Sequence, residues 1–421
     1  MANKNIQTLR GFRDYYPKDK AFQNWFYKYA KEVSELFGYR EYDGPTLESL
    51  NLYAAKSGEE LVQKQSFTFK DKGGREVTLR PEMTPTLARM ISQKSSKLSF
   101  PVRWFSFGRR YRYEKPQKGR GREFYQWDVD ILGTENPLAD AEIITIAASF
   151  YQKIGLTPKE VKIKVNDRKL ITQSLKKIGI KKDKIPQILK VIDKKEKLSD
   201  KKFKRLLDEV SVSASGQKKM LKLLEDKNIY MESDSLTKIF EIVEKQGLSE
   251  YVEFDPGIVR GLDYYTGCVF EGWDVRGKFR ALWGGGRYDN LVQDVGGKRK
   301  IPGVGFAMGD MVLNQMLKSL KKLPDLSALT TRVLVTIFAP DQLDTSIKIA
   351  KLLRSAKIAC SLYPDSGVGL SKQLKYADKK DFAYAVIAGP EEVLNDKVTV
   401  KDLKTKHQET VPTSALITRV K

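Results

Sequence analysis

The segment RRYRYEKPQKGRGREFYQWDVD, Arg109 to Asp130, reads as two strands joined by a charged loop. Side chains alternate faces along a strand, so Arg110, Arg112 and Glu114 share one side of the first. On the return strand Phe124, Gln126, Asp128 and Asp130 share a face. The connecting KPQKGRGR carries Lys115, Lys118, Arg120 and Arg122 around Pro116, Gly119 and Gly121. A face that mixes Arg, Phe, Gln and Asp is not a hydrophobic core. If buried, these groups must satisfy one another or meet a ligand. The competing reading is a solvent-exposed hairpin laced with salt bridges.

Upstream, Phe22, Trp25, Phe26, Tyr29, Val33, Leu36 and Phe37 recur at helical spacing until Gly38 stops the run. Strands are expected around Gly44 and over Glu76–Arg80, Val102–Glu114 and Glu123–Leu132, with a helix over Ala139–Ile154. From Asn166 to Gln246 lysine-rich helical patterns dominate, as in KKIGIKKDKIPQILKVIDKKEK, and predict a helical insertion in a larger α/β domain. Strands are expected again at Ile258–Val259 and Cys268–Trp273. A glycine cluster, Gly284 to Gly286, and a helix after Gly309 follow.

Lys321–Thr330 reads as a linker. Beyond it, strands at Arg332–Phe338, Ile358–Tyr363 and Tyr384–Ala388 alternate with helices at Gln342–Ala356 and from a Ser371 cap through Asp378. This alternation predicts a separate α/β domain over residues 331–421. The expected organisation is thus residues 1–165 with 247–322, an insertion over 166–246, and the C-terminal domain. Length alone suggests about three domains.

The formal net charge of +23 attracts polyanions and favours salt-dependent nucleic-acid binding. A lysine-rich surface that merely solvates helices explains it equally well. No apolar run suggests a membrane span, and the first residues lack a signal-peptide pattern. Cys268 and Cys360 show no metal-ligand or CxxC spacing, so a reducing, cytoplasmic setting is expected. The one histidine, His407, leaves little scope for a His-based triad or multi-His metal site. Chemistry must rest on arginines, carboxylates, amides and tyrosines.

An arginine before a charged loop, followed by RxFxQ on the return strand, resembles motif 2 of class II aminoacyl-tRNA synthetases. RYEKPQKGRGREFYQ, closing on Asp130, resembles the histidyl branch of that class. Pro45 and Glu48 resemble motif 1, which builds a dimer interface there. TLRPEMTPTLAR, Thr78–Arg89, is similar to the amino-acid-binding loop, and ALWGGGRYDNLV with PGVGFAMG to the motif 3 region. RGLDYYTG, Arg260–Gly267, taken alone is a strand end with two aromatics to pack. With four motifs in order around it, it resembles the mark of the histidyl branch.

The resemblance implies an antiparallel-sheet catalytic domain with a helical insertion and a C-terminal α/β anticodon-binding domain. It implies ATP-dependent activation of L-histidine, transfer of the histidyl group to the 3′ end of tRNA(His), and a homodimer. Arg112 would contact the ATP α-phosphate opposite Arg260, and Phe124 would stack on adenine. Arg112, Arg260 and Gln126 are the expected catalytic residues. Glu82, Met83, Thr84 and Gln126 would hold the histidine ammonium group. Asp130 and the Tyr265 hydroxyl would pair with the two imidazole nitrogens, with Tyr264 shaping the pocket. Such polar complementarity rejects analogues by about 10⁴–10⁵. Gln117 and Arg120 would approach the tRNA acceptor end. Mg²⁺ would arrive held mainly by ATP phosphates, with Glu114 as a supporting carboxylate.

One departure stands out. The motif 3 arginine of a GxxR pattern is replaced by Val312 in Gly309-Asp310-Met311-Val312. Either another cation substitutes, Arg120 and Arg122 being nearest in motif order, or ATP is held differently. Two rival readings remain. One is a catalytically inactive, synthetase-like regulatory subunit of ATP phosphoribosyltransferase, although such relatives usually lose RGLDYY and the C-terminal domain. The other is a non-enzymatic RNA-binding protein.

Overall fold

The computed structural model describes residues 6–54, 65–117, 119–195, 198–261, 264–324, 326 and 333–421. Lys118 of the charged loop, Leu262 and Asp263 of RGLDYY, and residues 327–332 of the linker and first C-terminal strand lie outside them. The chain divides into two compact units, Met1–Leu323 and Pro324–Lys421.

The first unit is built on an eight-stranded sheet. Its strands are β1 (Arg40–Glu41), β5 (Val102–Tyr111), β6 (Glu123–Leu132), β7 (Val161–Asp167), β8 (Val252–Phe254), β9 (Cys268–Asp274), β10 (Trp283–Arg287) and β11 (Gly303–Gly309). Their order across the sheet is β1-β5-β6-β11-β10-β9-β7-β8, antiparallel except for the outer pairs β1/β5 and β7/β8. A small antiparallel sheet of β2 (Leu47–Ser49), β4 (Glu76–Leu79) and β3 (Phe67–Lys70) accompanies it.

The 109–130 hairpin folds as its alternation requires. Arg110 lies opposite Phe124 and Ser106 opposite Asp128. The other face packs on helices. Trp127 of β6 meets Phe150 at 5.0 Å and Phe306 at 4.9 Å, and its indole N–H donates to Ser34 Oγ at 3.1 Å. Phe26 of helix Pro17–Leu36 and Phe150 of helix Pro137–Lys153 meet at 5.6 Å, tilted, against this face. The first helix begins earlier than the apolar spacing indicated because Pro17 sits in its first turn, where a missing N–H costs nothing. Asn136 caps the second by accepting from the Leu138 N–H at 3.0 Å.

The lysine-rich region forms helices Arg168–Lys177, Ile185–Ile192, Asp200–Glu209, Ala214–Glu225 and Asp234–Lys245 within the first unit. Its ends are tied to the sheet, because β7 and β8 run parallel, Ile163 beside Val252. Parallel neighbours need a long crossover, and the helices supply it. Two expected strands are absent as such. Gly44 lies between β1 and β2. Ile258–Val259 is not in a strand, because the Asn166 side-chain amide takes the carbonyls of Pro256 (3.1 Å) and Ile258 (2.9 Å).

The second unit holds a five-stranded sheet of order β13-β12-β14-β15-β16. These are β12 (Val333–Val335), β13 (Cys360–Leu362), β14 (Tyr384–Ile387), β15 (Lys397–Asp402) and β16 (Gln408–Pro412). The first three are parallel, joined through helices Leu343–Ser355 and Leu370–Lys379, as strand–helix alternation predicted. The antiparallel β15 and β16 were not anticipated. Gly369, not Ser371, occupies the cap of the second helix. Val333, Val335, Ile349, Leu353, Val386, Val398 and Leu416 form its core.

With a core of its own on each side of the break, residues 1–323 and 324–421 expressed separately are each expected to melt in a cooperative thermal transition. Circular dichroism during heating checks this; a half that melts without cooperativity would contradict it.

Candidate active site

The polar face of β6 lies across a cleft floored by glycines. Asp130, 2% exposed, is pressed against Gly305 of β11: a Cβ there would sit 2.0 Å from the carboxylate Oδ1. The same oxygen accepts from the Tyr288 hydroxyl at 2.6 Å. Burial raises the Asp130 carboxyl to about 8, the Tyr288 hydrogen bond opposing the rise and nearby Asp128 adding to it. Asp128 is itself buried and paired with fully buried Arg110 at 2.7 Å. Gln126 is also buried, and its Oε1 has no hydrogen-bond partner among the described residues.

Glu82 reaches this face from the turn after β4. It is buried, and its Oε2 accepts from the Tyr264 hydroxyl at 3.1 Å. Tyr264 packs on Tyr265 at 4.8 Å and edge-on to Tyr288 at 6.2 Å. Three tyrosines and two carboxylates therefore line one small volume. Met83 is fully buried beside Gly44 and contributes wall. Thr84 opens helix Thr84–Lys94 and is partly exposed. A helix N-terminus favours negative charge, so a cation bound here depends on the Glu82 carboxylate.

Arg260 has a left-handed backbone, φ +54°, which favours glycine and is held only by its surroundings. Its guanidinium lies on Gly284 of β10, where a Cβ would come within 1.8 Å of Nη1. Glu271 of β9 clamps it at 2.6 Å and is itself held by the Trp273 indole N–H at 3.1 Å. Arg112, just past β5, donates to the Pro81 carbonyl at 3.0 Å and lies 5.4 Å from the Phe124 ring centre. Arg112 thus extends from the end of β5, while Arg260, from the segment before β9, lays its guanidinium on β10. Gln126 lies between these strands.

The loop after Arg112 is tight. Gln117 and Arg120 exchange backbone hydrogen bonds at 3.2 and 2.8 Å. Gln117 is exposed, whereas Arg120 is paired with Glu114 at 3.0 Å. Arg122 stacks on the Tyr113 ring at 3.9 Å. Val312 is buried.

Sequence reasoning missed several supporting groups. Tyr288 and Arg287 stood inside the quoted GGGRYD, but nothing in its spacing pointed to Asp130 or to the buried Arg287–Asp140 pair. Glu271 stood in the expected strand Cys268–Trp273 with no role assigned. A separate cavity of about 460 Å³, lined in part by Arg13, Tyr15, Lys20, Arg109 and Glu123, lies on the opposite face of the β5–β6 hairpin. It shares no residue with this cluster.

A largely antiparallel sheet with an arginine laid on a central-strand glycine, followed by a C-terminal α/β unit, is the class II aminoacyl-tRNA synthetase architecture. The family model for histidyl-tRNA synthetase matches residues 11–312, and that for the anticodon binding domain matches residues 332–421. A histidine--tRNA ligase of Thermoplasma volcanium is 38% identical, with 98% of this chain and 97% of that protein covered. The chloroplastic/mitochondrial histidine--tRNA ligase of Arabidopsis thaliana is 37% identical, covering 98% and 86%. The crystal structure of a histidyl-tRNA synthetase from Nostoc superposes with a TM-score of 0.85 over 99% of both chains, at 23% identity. The chain belongs to the histidyl-tRNA synthetase family.

Asp130 makes the site's pH dependence explicit. Its folded pKa of about 8 lies above the ordinary carboxyl value of 3.8, so between these limits the folded state holds a proton that the unfolded state has lost. Stability contributed by neutral Asp130 is full below pH 4 and fades as pH rises toward 8, by up to about 1.4 kcal/mol per unit. Asp130→Asn is expected to gain stability relative to the parent across that range in denaturant titrations. A constant difference from pH 4 to 8 would refute the assignment.

Proposed function

We propose that this cleft binds L-histidine and ATP and performs both steps of the family's reaction, with the labour divided as follows. Tyr264 and Tyr265 wall the amino-acid pocket. Glu82 and Gln126 hold the ammonium group, with Met83 and Thr84 setting the position of Glu82. Asp130 accepts from one imidazole nitrogen and the Tyr265 hydroxyl pairs with the other. Arg112 and Arg260 take the α-phosphate from two sides. A histidine carboxylate oxygen then attacks the α-phosphorus, the bond to the β-phosphate oxygen breaks, and pyrophosphate leaves. Charge in such a transfer is stabilised by fixed guanidinium forks rather than by covalent catalysis. In the second step a ribose hydroxyl of the tRNA 3′ end attacks the adenylate carbonyl and AMP leaves.

The observation that carries this reading is the convergence of buried Glu82 and Asp130, each bonded to a tyrosine, beside Arg260 clamped over Gly284. An RNA-binding protein without catalysis has no use for two desolvated carboxylates at one spot. The regulatory-subunit reading is not favoured by any feature of the cleft.

Phe124, beside Arg112, takes the adenine ring, and Gln117 and Arg120 meet the acceptor end of tRNA(His). Mg²⁺ enters on the ATP phosphates, which with bound water can supply its oxygen ligands. Glu114 is its supporting carboxylate. Pro45 and Glu48 belong to a homodimer interface; Glu48 is braced by Arg89 at 2.7 Å next to exposed Leu47. Among the described residues no helix is long and apolar enough to cross a membrane, and a cytoplasmic setting completes the reading.

Histidine-dependent ATP–pyrophosphate exchange tests the proposal. The parent protein should exchange, and Arg260→Ala should lose about 10²–10³ in rate while keeping its oligomeric size. Folded parent protein without exchange would end the synthetase reading; near-normal exchange in the variant would end the role of Arg260. A chain ending at about Thr330 should still form adenylate but bind tRNA weakly. Full charging by that chain would contradict anticodon recognition by the C-terminal unit.

A further inference from the structure

The segment joining β9 to β10 contains Arg280, which the division of labour above leaves unused. Its Nη2 donates to the Gly119 carbonyl at 2.7 Å. Gly119 turns the loop after Arg112 with φ +76°, and it abuts Val312: a Cβ on Gly119 would stand 3.3 Å from Val312 Cγ2. Arg280 therefore reaches, from another part of the chain, the neighbourhood where Val312 presents no charge.

The surroundings are cationic. Burial, then the charges of Arg120 and Arg112, pull Arg280 down to about 10 against the opposing pull of Glu114. Glu114, whose carboxylate lies among these guanidiniums, is committed to Arg120 at 3.0 Å. Arg122, an alternative cation in motif order, is engaged with the Tyr113 ring at 3.9 Å and the Glu114 carbonyl at 3.3 Å. Arg280 keeps much of its surface open to solvent. Like charges gathered this closely repel one another, and an arriving polyanion relieves that repulsion. A guanidinium offers more donors than its one backbone bond uses, so it can hold Gly119 and phosphate oxygens together.

We propose that Arg280 binds the terminal phosphates of ATP, and the pyrophosphate product, supplying from the β9–β10 segment the cation that Val312 does not. This rests on the adenylation reading. The bond to Gly119 gives Arg280 a fixed position before ATP arrives and links phosphate binding to the loop that carries Gln117 and Arg120.

The test compares full-length parent, Arg280→Ala and Arg280→Lys. It measures KM for ATP and for pyrophosphate in histidine-dependent exchange, and binding of a non-hydrolysable histidyl-adenylate analogue that has no terminal phosphates. Arg280→Ala should raise both KM values about 10- to 100-fold and leave analogue binding unchanged, with Arg280→Lys intermediate. Unchanged KM values overturn the proposal. So does an equal loss of analogue binding, which would mean that Arg280 only props the loop. Absence of exchange in the parent would instead defeat the adenylation reading beneath it.

Discussion

Charged side chains in this molecule lie flat against a sheet, and the backbone must leave room for them. A Cβ at Gly305 would collide with Asp130, and one at Gly284 with Arg260. Both glycines sit in adjacent central strands, β10 and β11, whose register puts Gly284 beside Ala307 and Gly285 beside Phe306. Close approach lets a carboxylate and a guanidinium be desolvated in fixed positions. Desolvation is costly for a polar group, and more so for an ion, unless hydrogen bonds accompany it. Tyr288 provides that bond for Asp130 and Glu271 for Arg260.

The opposite face of the sheet is what keeps this arrangement rigid. Trp127, Phe306, Phe150 and Phe26 interlock there with centroid separations of 4.9 to 5.6 Å, except for the looser Phe26–Trp127 approach. Alternation ties the two faces together: moving β6 by one residue would bury Gln126 and Asp128 among aromatics and expose Trp127. Aromatic packing thereby fixes which polar groups meet the cleft. The Arg287–Asp140 pair adds a second brace, joining the end of β10 to helix Pro137–Lys153. Arg287 also ties down the pocket wall, since the Thr266 N–H donates to its carbonyl at 2.8 Å.

Much of this was legible in the hairpin because a period of two encodes a face. The pattern put Arg110, Arg112 and Glu114 on one side and Phe124, Gln126, Asp128 and Asp130 on one side. The Arg110–Asp128 pair follows from those faces meeting. Partners supplied by distant strands were not legible. Asp130 and Tyr288 are 158 positions apart, and no local pattern links them. The positive φ of Arg260 was hidden for a different reason, since its cost is offset by tertiary contacts. Ile258–Val259 read as a strand because apolar β-branched residues usually pair. Here the side chain of Asn166 satisfies the carbonyls of the segment instead. In the second unit the alternating signal ended after β14, and β15 and β16 lack the apolar runs that marked the parallel strands.

The Val312 position shows how a site can keep its charge balance while its sequence signature moves. A cation is useful to a phosphate because of where its donors lie, not because of which helix carries them. Helix Asp310–Ser319 has an aspartate in its first turn, and Asp310 is occupied by the Tyr125 N–H (3.1 Å) and Gln23 (3.1 Å). That end of the helix is engaged in packing on β6 and on helix Pro17–Leu36, and Val312 continues the packing as an apolar side chain. The β9–β10 segment is less committed. Arg280 can extend from it to Gly119 with its guanidinium partly buried while the residue as a whole stays exposed. A fully buried guanidinium at 312 would need a carboxylate partner, whereas a partly buried one at 280 keeps contact with water until an anion arrives. The partly solvated arrangement therefore keeps the site stable when empty and leaves donors for the ligand.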